Sequence, residues 1–285
     1  MHDPAMLSNQ QFERARRLAL QLAGIELLER HRELLQQRSR RLGVCDCAEW
    51  DALLGAVEHG DTVSKQKLFR LLTTKFTGFF RQPAHFDVAA QHTLRVIAER
   101  GRARLWSAAA ATGEEPYSLA MALIEILRRE DPPVSILATD VDAEALVVAK
   151  RGEYNEAAIR ALGTARGEKF LRETGANHLW SIVPSVRCLI EFRELNLANA
   201  VWPTEGPFDV ILCRNVIMYL EACHRYAVLE RMASLLAPEG LLILDPAEHL
   251  GKASHMFTPQ GNAVFSRRNT SPHLDNRGNR ALERG

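Results

Sequence analysis

The sequence predicts an α/β protein: a doubly wound, mostly parallel sheet preceded by an all-helical segment and interrupted by a small antiparallel insert. Three observations carry this. From Arg102 onward, short apolar runs alternate with helical segments, the pattern of a parallel sheet with crossover helices. Before about residue 85, apolar residues recur at helical spacing instead. Between Gly152 and Glu191 the alternation lapses into short β-like runs.

The helical segment, 1–85, reads as four helices. Phe12, Leu18, Leu20 and Leu22 share the first, which Gly24 stops. Leu27, Leu28, Leu34 and Leu35 mark the second. Its other face carries Arg30, Arg32, Arg38, Arg40 and Arg41, opposed only by Glu29 and Glu33. Trp50, Leu53, Leu54 and Val57 mark the third, and Leu68 to Leu72 the fourth. Thr73 to Arg81 is a junction rich in phenylalanine. The second domain, 86–268, then runs strand 104–110, helix 115–129, strand 134–140 and helix 143–151. Strands 189–194 and 208–213, helix 221–236, strand 240–246 and a closing strand near 262–267 follow, with the insert at about 168–192. Residues 269–285 are polar, with Pro and Gly, and read as a disordered tail.

Bulk composition excludes several classes. A chain of 285 residues reads more naturally as two domains than one. Lys and Arg total 36 against 35 Asp and Glu, so no basic excess invites nucleic acid. No apolar run approaches the ~20 residues that span a bilayer, and the start lacks a signal-peptide pattern. A cytoplasmic protein, monomeric and not inserted in a membrane, is expected. The five cysteines are odd in number and poorly spaced for disulfides, and the ten histidines form no HExxH cluster. No metal is expected.

The chemistry centres on LWSAAAATGEEPYS, 105–118. An apolar run, a Thr112–Gly113 break and a helix opened by Glu114, Glu115 and Pro116 form a nucleotide-type half-unit. Dinucleotide and phosphate loops leave bare glycines at this helix start. Two glutamates there would repel a pyrophosphate, so a cationic ligand without phosphates fits better, and S-adenosylmethionine is the candidate. Asp140 ends the next strand, placed to accept from two ribose hydroxyls. Asn196 and Leu197 follow a strand, and FDVIL delivers Arg214 and Asn215 to a strand's carboxyl end, with Tyr219 just beyond. Each also has a plain structural reading. Glutamates favour helices, Asp140 or Asp142 could cap one, Asn196 suits a turn, and Tyr219 could be core.

Three strings in order, TTKFTGFFR, SAAAATGEEPYS and FDVILCRNVIMYL, resemble the signatures of the CheR-type chemotaxis receptor methyltransferases, from roughly Phe12 to Arg267. The resemblance implies a class I S-adenosylmethionine methyltransferase fold, with methyl transfer to receptor glutamates and S-adenosylhomocysteine as product. It places Thr77 and Arg81 at the cofactor and the substrate carboxylate, Tyr219 at the transfer site, and Glu115, Asp140, Asn196, Leu197, Arg214 and Asn215 around the cofactor. It puts Arg38, Arg40 and Arg41 where the family's basic helix would meet the receptor's acidic helical bundle.

The chain departs from the family in three places. Lys75 stands at the cofactor position where asparagine is usual. DPAEH, Asp245 to His249, replaces a glycine-histidine-serine-glutamate string. Only Gly175 remains of a glycine-rich turn with which some members grip a receptor peptide. A glutamate acceptor with pKa near ~4.3 is already ionised at neutral pH, so no general base is required. The alternatives are an S-adenosylmethionine-binding sensor or scaffold without transfer, or transfer to another acceptor.

Overall fold

The computed structural model describes residues 7–73, 77–175 and 178–268. Four helices come first: α1 (Asn9–Ala23), α2 (Arg32–Arg41), α3 (Cys47–Glu58) and α4 (Thr62–Leu72). Their limits follow from local chemistry. Ser8 and Gln11 form a capping box at the start of α1, and Gly24 ends it in the left-handed region. Asp46 and Asp61 cap α3 and α4 with their side chains.

A fifth helix, α5 (Pro83–Arg100), crosses the expected domain boundary at 85. Then come β1 (Ala103–Ser107), α6 (Glu114–Leu127), β2 (Val134–Asp140), α7 (Ala143–Arg151), β3 (Glu153–Asn155), α8 (Glu156–Ile159), α9 (Gly163–Phe170), β4 (Leu171–Glu173) and β5 (Leu179–Ile182). The chain continues with α10 (Pro184–Arg187), β6 (Ile190–Glu194), β7 (Phe208–Leu212), α11 (Ala222–Leu235), β8 (Leu236–Ile243), β9 (Phe257–Gly261) and β10 (Val264–Arg267).

The main sheet has seven strands in the order β6-β2-β1-β7-β8-β10-β9, parallel except for β10, which runs against both of its neighbours. Strand order reverses between β1 and β7, and ligands of open α/β sheets bind at such a point, beyond the carboxyl ends. Successive side chains of a strand feed opposite faces. Leu105, Val210 and Leu212 enter one core with α5 and α6, while Trp106 and Ile211 enter the other with α1, α3 and α11. The N-terminal helices therefore share a hydrophobic core with one face of the sheet.

Three details differ from the sequence reading. The insert, a sheet ordered β3-β5-β4, begins at Glu153 and ends at Ile182 rather than spanning 168–192, because β3 leaves directly from α7. Residues 190–192 pair with β2 at the edge of the main sheet. The chain closes with a hairpin of two strands rather than one. Lys75 and the expected tail 269–285 lie outside the described residues. Among the described residues no helix is long and apolar enough to cross a membrane.

Candidate active site

A cleft enclosing about 1100 Å³, including open solvent at its mouth, lies over the switch point. The loops after β1, β2, β6 and β7 form its floor. Ala23, Ile25, Leu72 and the junction 77–81 form its roof. Of the residues singled out from the sequence, Thr77, Arg81, Glu115, Asp140 and Asn196 line it. So do Leu197, Arg214, Asn215 and Tyr219.

The roof is stitched to the floor. Ile25 bridges Leu220, Glu26 N–H donates to the Tyr219 carbonyl at 2.8 Å, and Glu221 N–H donates to that of Gly24 at 2.8 Å. These bonds fix the backbone that carries Tyr219. At the far side, Arg70 pairs with Glu144 at 2.6 Å, and Gln66 bonds both Glu194 and the Ala143 N–H. Helix α4 is thereby held against the start of α7.

Asp140 closes β2 with its carboxylate turned back on the loops: Oδ2 accepts from Ala111 N–H at 2.8 Å and Oδ1 from Asp142 N–H at 2.9 Å. Asp142, not Asp140, caps α7, accepting from Glu144 and Ala145. Asn196 donates to the Leu22 carbonyl at 2.6 Å and accepts from Ala198 N–H, so its amide ties the β6 loop to α1. Leu197 is buried and supplies an apolar wall.

Glu114 and Glu115 do not stand bare at the helix start, as their place in the sequence suggests. Glu114 accepts from Thr112 Oγ1 at 2.7 Å. Glu115 is buried, with Oε1 taking the Ser107 hydroxyl at 2.8 Å and Oε2 facing Arg214 Nη1 at 3.1 Å. Burial pushes the Glu115 carboxyl up, and the Arg214 charge and the Ser107 hydroxyl pull it back. The repulsion a phosphate would meet here comes from the wider set. Four carboxylates, Glu115, Asp140, Asp245 and Glu248, lie within and behind the cleft beside two guanidiniums, with Arg214 paired to Glu115 and Arg81 near Asp245.

Behind the lining are three residues the sequence reading did not place at the site, although it marked Asp245 and Glu248, within DPAEH, as part of a departure from the family. Gln82 takes Arg214 Nη2 on Oε1 at 2.9 Å and gives Nε2 to Asp245 Oδ2 at 3.1 Å. Asp245 Oδ2 lies 3.9 Å from Arg81 Nη2. Burial would raise the Asp245 pKa, but Ala247 N–H, Asn215, the Arg81 charge and Gln82 hold it below the ordinary carboxylate value. Glu248, also buried, gathers the N–H groups of Asn215, Val216 and Asp245 and so shapes the loop after β7. Asp245 follows a parallel strand as Asp140 does, and that signal could have found it. Gln82 leaves none.

Backbone strain concentrates here as well. Phe80, Gln82, Ala111 and Asn215 all have positive φ, between 45° and 61°, in segments that meet at the cleft. Such geometry persists where surroundings over-determine it. Phe80 N–H, for example, is bound by Ser118 Oγ at 2.8 Å.

The cleft suits S-adenosylmethionine on its own chemistry. Arg214 is buried, and its Nε has no partner, which leaves a donor for a carboxylate beside the cleft. Asp140 offers acceptors at a strand end, and Val141, Leu195 and Leu197 offer an apolar slot.

Residues 75–265 match the family model described as "CheR methyltransferase, SAM binding domain". The chain is 37% identical over 263 residues to chemotaxis protein methyltransferase 2 of Pseudomonas aeruginosa, covering 91% of this chain and 93% of that one. It is 34% identical over 272 residues to the chemotaxis protein methyltransferase of Escherichia coli, covering 93% of each. A probable chemotaxis protein methyltransferase of Rhizobium etli is 34% identical over 255 residues, covering 85% of this chain and 94% of that one.

Proposed function

We propose, because the chain belongs to the CheR methyltransferase family, that it transfers a methyl group from S-adenosylmethionine to glutamate side chains of a chemoreceptor, giving methyl esters. The observation that carries this reading is the cleft at the switch point, which joins an orphaned buried guanidinium N–H, a strand-end carboxylate and an arginine at the roof.

In this reading Asp140 takes the ribose, and Leu197 and Asn196 flank the adenine. Arg214, supported by Glu115, takes the carboxylate of the cofactor, with Asn215 and Thr77 beside it. When bound, the cofactor supplies an electrophilic methyl on a sulfonium. The chain's residues position the acceptor: Arg81 orients its carboxylate and Tyr219 lines the transfer site. The carboxylate is ionised at neutral pH, so the protein need not remove a proton. Holding nucleophile and methyl in line while excluding water is the protein's contribution.

The acceptor is a cytoplasmic helical bundle met by a monomeric enzyme. A second groove between α2 and α4, lined by Leu34, Leu35 and Arg38, shares Ile25, Leu72 and Tyr219 with the cleft. Arg40 and Arg41 are exposed on the same helix, α2, and offer charge for an acidic bundle.

Calorimetric titration with S-adenosylhomocysteine, run beside Asp140→Ala, tests the cofactor half. Micromolar binding that the variant loses supports it, and absence of heat from the folded protein overturns it. Methylation of a receptor fragment, read as base-labile methanol, tests the acceptor half.

A further inference from the structure

Asp245 is a carboxylate held beside the arginine that, on the reading above, orients the acceptor carboxylate. Its side chain is 8% exposed, and its oxygens are anchored by Ala247 N–H at 3.1 Å and Gln82 Nε2 at 3.1 Å. From that anchorage it sits 3.9 Å from Arg81 Nη2, close enough for charge to act and too far for a hydrogen bond. Gln82 in turn accepts from Arg214 Nη2, which also holds the Arg81 carbonyl at 2.7 Å. Arg214, Gln82, Asp245 and Arg81 thus form a ring, with the carboxylate fixed and the Arg81 head at its open side.

We propose that Asp245 is a positioning residue that sets how tightly the acceptor glutamate is held. It resembles that glutamate in charge and chemical group, and it offsets part of the Arg81 charge before the acceptor arrives. A fully available arginine would bind the ionised acceptor tightly and stabilise the charge that the reaction must discharge. Such an interaction favours the ground state over the transition state. With Asp245 in place, the acceptor is oriented but stays nucleophilic. Asp245 itself makes and breaks no bond.

The inference rests on the proposed methyl transfer, and the test separates the two. Asp245→Asn removes the charge while keeping an oxygen for Ala247 N–H, and Asp245→Gly removes the side chain. Steady-state kinetics on a receptor fragment should show KM and kcat both lowered about five-fold, the scale of one partly exposed ion pair, with kcat/KM nearly unchanged. S-adenosylhomocysteine affinity should match the wild type. An unchanged or raised KM in variants that still bind S-adenosylhomocysteine would overturn the inference. Loss of folding in both variants would do the same by making the residue structural. A wild-type protein that binds no S-adenosylhomocysteine or methylates nothing would instead overturn the underlying reading.

Discussion

Arg214 meets Glu115 at 3.1 Å, with side chains only 3% and 12% exposed, across 99 residues of chain. The pair joins the loop after β7 to the first turn of α6. Removing one member of a buried pair leaves the other charge uncompensated. Arg214→Leu should therefore cost about 3–5 kcal/mol in urea denaturation. The double variant Arg214→Leu, Glu115→Leu should recover much of that loss, since well-packed apolar residues can replace a buried pair. It should still fail to bind S-adenosylhomocysteine. Recovery of binding with stability would show that Arg214 serves the fold alone.

Gly113 opens α6 at φ 101°, and a Cβ there would meet Tyr154 Oη at 2.8 Å and Ala149 Cβ at 3.0 Å. Tyr154 Oη donates to the Thr112 carbonyl, so the clash would fall on the bond that holds this loop. Gly113→Ala should destabilise by at least about 1 kcal/mol, from strained φ before any steric cost. Cofactor affinity should fall with it, which calorimetry would register.

The sequence made legible those parts that local chemistry dictates. The strand–turn–helix at β1 and α6 is one, because an apolar run, Gly113 and an acidic first turn all act within a few residues. The capped helices α1, α3 and α4 are others. Helix α5 was missed because its N-cap, Gln82, is left-handed and makes no side-chain cap, so no start signal precedes Pro83. Strand β9 was missed because it is a mostly exposed edge bearing Pro259, and proline weakens a strand assignment. The burial of Glu115 against Arg214 depends on how the sheet brings distant loops together, and no local spacing encodes that. Arg38 teaches the same lesson: it sits on an arginine-rich face, yet its guanidinium reaches the Leu71 and Leu72 carbonyls at 2.9 and 3.1 Å.

Alkaline pH should weaken the fold through Tyr117. Burial, opposed by Arg187, raises its pKa from 10.0 to about 12, and its hydroxyl donates to the Ala149 carbonyl. A folded pKa above the unfolded one means the fold favours the neutral phenol. The contribution is complete below pH 10.0 and is lost as pH rises to about 12. Complete loss amounts to about 3 kcal/mol. Burial shifts Tyr154 in the same direction. Urea midpoints followed from neutral pH upward should fall more steeply for the wild type than for Tyr117→Phe. The variant should start about 1 kcal/mol lower for want of its hydrogen bond.

Charge reversal on α2 separates docking from chemistry. Arg40 and Arg41 are exposed on α2, whereas Arg38 lines the groove that reaches Tyr219 and is half-buried against the end of α4. Against an acidic receptor bundle, Arg40→Glu with Arg41→Glu should raise KM about ten-fold, chiefly by slowing association. The salt dependence of kcat/KM should flatten, because the steering charge has been removed. The affinity for S-adenosylhomocysteine should not move, since neither residue lines the cleft. Arg38→Ala should behave differently and lower the denaturation midpoint, because the last carbonyls of α4 lose their donor. A double reversal that left KM untouched would direct the search for the receptor surface away from α2.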